Sequence, residues 1–222
     1  SLATLILAFL SLRYLKDKKL ISLLSFGVVL GMGFQAWLGA TVVYSLLAPV
    51  KITTHMLMAL AIVAALILII QKANPRIERT KYMANFHKAI SYLLFIFLLQ
   101  IVFGTQVREF VDHQLDLGLT KDNWLLNPSI IFYVHRSFSI LPLGIAVYLF
   151  WINKRNELGF ASTKPLLAGM IIAAFSGMAM YYIDFPLGTQ PIHLVIAAIL
   201  FGQIFYIFLQ SRKAKNNISK TK

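Results

Sequence analysis

The stretch Gly177–Leu200, GMAMYYIDFPLGTQPIHLVIAAIL, recurs earlier in the chain as Gly39–Val63, GATVVYSLLAPVKITTHMLMALAIV. His193 and His55 each stand sixteen positions after the leading glycine, each is followed by four apolar residues ending in alanine, and the two copies are offset by 138 residues. Apolar runs of this length suit a bilayer, and an ionisable side chain kept inside one is costly enough to mark a site of chemistry.

Outward from these two copies the same character continues. Of 222 residues, 59% are apolar and 13% charged, which places the chain among membrane proteins rather than soluble domains. Segments of spanning length run from Leu20 to Ala48, His55 to Gln71, Phe86 to Gln106, Ile130 to Ile152, Pro165 to Asp184 and Pro191 to Gln210. A shorter apolar segment, Ser1 to Leu15, lacks the basic region and small-residue cleavage site of a signal peptide and is expected to be the tail of a helix that begins upstream. The expected fold is all-α, a polytopic membrane helix bundle with seven helices, the first of them partial.

The net charge of +13 raises the question of a nucleic-acid partner, and the placement of the charges answers it. Seventeen of the 21 Lys and Arg fall in alternate connections and at the carboxy terminus, leaving only Lys51, Arg108, Lys121 and Arg136 on the opposite side. That is the asymmetry of loops held on the cytoplasmic face, so the carboxy terminus is expected inside and no nucleic acid is expected. The absence of cysteine excludes disulfides and Cys-ligated metal or iron-sulfur centres within this chain.

On the outer side the connections are read as a short turn around Pro49, a longer acidic loop from Val107 to Pro128, and a turn through Pro186 and Pro191. Tyr14, Tyr44, Trp124, Trp151, Tyr181 and Tyr182 lie near segment ends, where interfacial aromatics anchor a helix.

His55, His135 and His193 each lie within a few residues of the outer end of an inward-running helix. Neutral imidazole ligates iron, zinc or copper, and with no carboxylate at ligand spacing beside these three, heme iron held by axial histidines on two helices is the best match. The competing reading for any one of them is a histidine bonded to a neighbouring helix or to headgroups. His87, at an inner helix end, and His113, in the outer loop, read as interfacial or solvated. Arg136 follows His135, Lys51 precedes His55 by four positions, and Arg108 ends the helix carrying Gln100 and Gln106. These cations suit heme propionates, or headgroup phosphates. Glu109 is the expected ion-pair partner of Arg108. Runs with small and amide residues precede the outer turns: Gln35, Trp37, Leu38 and Gly39, then Gln100, Phe103, Gly104, Thr105 and Gln106, then Ser176 and Gly177; the small residues would let helices approach closely, and the glycines would also admit a flat macrocycle.

Phe34–Val43 (FQAWLGATVV), Phe103–Asp112 (FGTQVREFVD), the His135-Arg136 pair and Gln190–Leu194 (QPIHL), in this order, resemble the heme A synthases over essentially the whole chain. The resemblance implies eight helices in two four-helix halves related by a pseudo-twofold axis, with residues 1–80 the remainder of the amino-terminal half and 81–222 the carboxy-terminal half. It implies that His135 and His193 ligate a heme b, that His55 helps hold heme O or heme A, and that Arg136, Arg108 and Lys51 lie around these groups. The implied reaction is oxidation of a heme O methyl group to the formyl of heme A, with oxygen from water and the heme b as electron relay. The family's Glu-x-x-His-Arg motif, with its glutamate thought to be catalytic, would fall just upstream of Ser1. Implied partners are a heme O synthase, a membrane electron acceptor, the lipid bilayer and a homo-oligomer, and the implied place is a bacterial plasma membrane. Two other readings fit parts of the pattern: a di-heme membrane cytochrome that only passes electrons, and a transporter with internal repeats.

Overall fold

A computed structural model describes residues 2–44, 49–73 and 80–220, and all the regular secondary structure among them is helical. The helices are α1 (Leu2–Ser11), α2 (Lys19–Tyr44), α3 (Pro49–Ala73), α4 (Ala84–Asp116), α5 (Ile130–Phe138), α6 (Ile140–Arg155), α7 (Thr163–Tyr182) and α8 (Thr189–Lys220). Among the described residues six stretches are long and apolar enough to cross a membrane, with α5 and α6 forming one of them, and α1 adds a shorter apolar helix. The chain is a polytopic membrane helix bundle, and it divides into two compact units, Ser1–Ile77 and Glu78–Lys222.

In the first unit, α2 packs on both α1 and α3. Ile21, Val28, Ile62 and Ile69 are buried in the α2–α3 seam, and Gly31 lets it close tightly, since a Cβ there would stand 3.1 Å from the Met58 Cε. The basic turn after α1 is tied to the end of α3 by Lys18, whose Nζ donates to the Lys72 carbonyl at 3.3 Å. A lysine at a helix carboxy end satisfies a carbonyl the helix cannot.

In the second unit, α4 packs against α5, α6 and α8, while α7 joins α6 to α8. Phe86, Ile90 and Leu93 of α4 meet a core that includes Leu149, Leu166, Ile204 and Ile207, all fully buried. Near the carboxy-terminal end of α6, the Asn153 amide donates to the Phe160 carbonyl at 2.9 Å and to Thr163 Oγ1 at 2.8 Å, and its oxygen accepts from the Phe160 N–H at 3.0 Å. This clasp holds the Phe160 ring against Phe86, with centroids 4.2 Å apart.

Several boundaries differ from the sequence expectation: α3 begins at Pro49, six residues before His55, and α8 takes in Pro191 and runs ten residues past Gln210. The segment expected from Ile130 to Ile152 breaks at Ser139, between α5 and α6. Pro142 supplies the reason, since it has no N–H to give the Phe138 carbonyl one turn back. And α4 runs ten residues beyond Gln106, so the first part of the expected loop is helix. At about 1.5 Å per residue α4 is about 50 Å long against a hydrocarbon layer of about 30 Å, so its end stands clear of the lipid. Val111 packs there against Trp124 and Phe185. Trp124, expected as an interfacial anchor, is therefore buried, its Nε1 donating to the Leu119 carbonyl at 2.9 Å. The turn that delivers Phe185 holds two successive non-glycine residues in the left-handed region, Asp184 (φ 49°) and Phe185 (φ 53°). Each costs about 1–2 kcal/mol, and burial of the Phe185 ring against Trp124 offsets that cost.

Candidate functional site

His55 is the seventh residue of α3, His135 the sixth of α5 and His193 the fifth of α8, so all three lie about 6–9 Å along their helices from the first residue. The preceding helices supply the packing partner in each case. A Cβ built on Gly39 of α2 would stand 3.2 Å from His55 Cε1, one on Gly104 of α4 would stand 3.1 Å from His135 Cε1, and one on Gly177 of α7 would stand 3.7 Å from His193 Cε1. The expectation that these glycines make room for close approach is met, and what approaches in this structure is an imidazole.

A glutamine one turn before the glycine completes two of the three cradles. The Gln35 amide donates to the His55 carbonyl and to His55 Nε2, both at 3.1 Å, and the Gln100 amide donates to the His135 carbonyl at 3.0 Å. The motif Gln-x-x-x-Gly thus holds the backbone of the histidine with its first residue and bears on the ring with its last. Because Gln and Gly are four apart, both face the same neighbouring helix. The sequence contains this signal at Gln35–Gly39 and Gln100–Gly104, and it was legible only as small and amide residues before a turn.

His193 is held differently. Ser176 Oγ donates to the Ala173 carbonyl at 2.8 Å and lies 2.7 Å from His193 Nδ1. With its proton committed to that carbonyl, the hydroxyl accepts from Nδ1–H, which leaves the lone pair of His193 on Nε2.

His135 and His193 belong to the same unit, and the helices that carry them, α5 and α8, both pack on α4. His135 Nδ1 and Gln100 Oε1 are buried without a hydrogen-bond partner. Among the described residues no group of three or more His, Cys, Asp or Glu gathers to hold a metal ion. A pair of imidazoles is nonetheless a sufficient protein donor set for one kind of iron, because a porphyrin brings four nitrogens of its own.

Of the basic residues expected at the site, Arg136 is exposed, with its guanidinium 5.5 Å from the ring centroid of Tyr181 on α7. Tyr181 in turn stacks on Phe132 at 5.1 Å, so Arg136 is steered by an aromatic pair that bridges α5 and α7. Arg108 is placed otherwise than expected. Its Nε lies 2.8 Å from both carboxylate oxygens of Asp112, one turn further along α4, and not against Glu109. Extension of the helix through this segment is the cause, since residues four apart share a face and adjacent ones do not. Asp112 is only 5% exposed, so the acidic segment is not simply solvated. Lys51 lies one turn before His55 on α3, half-buried. His113 is exposed, as expected for a solvated residue, and His87 is half-buried near the amino-terminal end of α4.

A search of curated proteins returned no match. The sequence model of the family described as cytochrome oxidase assembly protein matches residues 1–205.

Proposed function

This chain belongs to the cytochrome oxidase assembly protein family that comprises the heme A synthases, and on that premise we propose that it oxidises the ring methyl group of heme O to the formyl group of heme A. Converting the methyl carbon to a formyl consumes one water and releases four protons and four electrons, so an electron path out of the protein is required. A heme b held between His135 and His193 would supply that path when bound, by cycling between its ferric and ferrous states.

The chain's own residues have defined parts in this reading. His193 offers the Nε2 lone pair because Ser176 takes the Nδ1 proton. His135 is steadied through its backbone by Gln100 and through its ring by Gly104. Arg136, held over Tyr181, is placed to neutralise a propionate at the outer side. In the first unit, His55 with Gln35 helps hold substrate or product heme, and its Nε2 becomes available to iron only when the Gln35 amide withdraws. Lys51 is the corresponding cation there. Arg108 acts through Asp112 on the outer extension of α4 rather than on a propionate.

The observation that carries the proposal is the pair His135 and His193, each oriented by its own partner on helices that both pack on α4, in a chain matched to this family over nearly its whole length. The proposal includes heme O delivered by a heme O synthase, a membrane electron acceptor, a bacterial plasma membrane with the carboxy terminus inside, and a homo-oligomer. Its test is expression of the gene in a host that makes heme O but no heme A, followed by chromatography of the extracted pigment. Heme A or its hydroxymethyl precursor is the expected result, and unconverted heme O with neither of them would overturn the assignment.

A further inference from the structure

The inner ends of α4 and α8 meet at His87. Its Nδ1 lies 3.0 Å from Oγ of Ser211, a fully buried residue of α8. The ring stacks on Phe208 at 5.8 Å with 18° between the planes, and Tyr82 stands 6.0 Å away. These contacts hold a half-buried imidazole in one orientation at the edge of the helix pair. Arg212, next to Ser211, and Lys215, one turn beyond it, are both exposed on α8.

The depth of this group follows from helix geometry. Ser211 lies eighteen residues after His193 on the same helix, a rise of about 27 Å, slightly less than the hydrocarbon layer of about 30 Å. With His193 just inside the outer boundary, Ser211 falls at the inner boundary, and Arg212 and Lys215, in the turn that follows it, stand at the level of lipid phosphates. The ion pair found among the described residues, Arg108–Asp112, is at the other end of α4. Glu157, on the inner side after α6, is exposed and forms no ion pair within 4 Å among the described residues.

We propose that His87, Arg212 and Lys215 form a phosphate-binding site at the inner membrane face, with Ser211 and Phe208 fixing the imidazole. The ligand is a phosphate group, carried by an anionic phospholipid of the inner leaflet or free in the aqueous phase. The site is independent of heme binding, being on the inner side of the bundle.

The test uses the full chain in nanodiscs of phosphatidylcholine with and without phosphatidylglycerol, then native mass spectrometry to count retained lipid. In a second arm, inorganic phosphate is titrated onto protein in a neutral detergent while the imidazole resonances of His87 are followed. Wild-type protein is expected to retain phosphatidylglycerol preferentially, and Arg212→Gln with Lys215→Gln should weaken that retention about thirty-fold, at roughly one contribution per juxtamembrane cation. Lys154→Gln with Lys164→Gln, which removes the same charge from exposed inner positions elsewhere, should leave it unchanged. Phosphate binding without lipid preference, lost in the Arg212/Lys215 variant, supports the same site with a free ligand. If neither probe binds, or both double variants bind like wild type, the proposal is overturned.

Discussion

Nδ1 of His193 on α8 lies 2.7 Å from Oγ of Ser176 on α7, and that hydroxyl is itself tied to the Ala173 carbonyl at 2.8 Å. The relay sets both the tautomer and the rotation of the imidazole, which is the part a second-layer partner plays for a ligating histidine. Ser176→Ala is therefore expected to weaken heme retention by about 10–100-fold while leaving the helices intact. Heme dissociation followed in the visible spectrum, beside far-ultraviolet circular dichroism, measures the two effects separately.

His135→Ala and His193→Ala should each abolish the low-spin heme absorption of the purified protein, because a six-coordinate iron needs both imidazoles. An unchanged reduced-minus-oxidised spectrum in both variants would remove the two residues as ligands. Arg136→Gln, one position from His135, is expected to loosen the heme without removing its low-spin signature, since it alters the charge beside the group and not the ligand field.

The three glycine cradles order themselves by distance. A methyl group at position 104 or 39 would stand 3.1 or 3.2 Å from an imidazole carbon, whereas at position 177 it would stand 3.7 Å away, an ordinary contact. Gly104→Ala and Gly39→Ala should thus displace the rings of His135 and His55 by a few tenths of an ångström. Gly177→Ala should be tolerated, and gains up to about 1 kcal/mol of helix propensity. Thermal unfolding of the three variants, with heme occupancy measured on each, checks the order; a destabilised Gly177→Ala beside a silent Gly104→Ala would contradict it.

Arg108 and Asp112 are unequal partners, with side chains 48% and 7% exposed. Removing the arginine strands a buried carboxylate, while neutralising the acid leaves only an arginine that water already reaches. Arg108→Gln is expected to lower stability by about 1–2 kcal/mol, and Asp112→Asn by less. Had Glu109 been the partner, Glu109→Gln would match the Arg108 variant; thermal melts of all three decide between the pairings.

Much of this was legible along the chain. The apolar runs mark the six spans because a lipid-facing helix must satisfy its backbone internally and expose apolar side chains over some twenty residues, a constraint written locally in the sequence. The recurrence of Gly39 to His55 as Gly177 to His193 singles out the histidines for the same reason: spacing along one strand of text needs no knowledge of the fold.

What touches each histidine was not legible. That Gln100 reaches the His135 carbonyl, that Ser176 takes the His193 Nδ1 proton, and that α5 is set off from α6 at Ser139 are facts about neighbouring helices and their rotation about their own axes. The outer end of α4 makes the same point: Arg108 turned from Glu109 to Asp112, and Trp124 left the interface for the interior, once the helix continued past the lipid and gained Phe185 to pack against. Sequence alone determined which segments cross the membrane and which ionisable groups they carry, because burial in lipid is decided residue by residue. The tertiary structure decided the partners, because hydrogen bonds of about 3 Å between helices depend on a register that no single segment encodes.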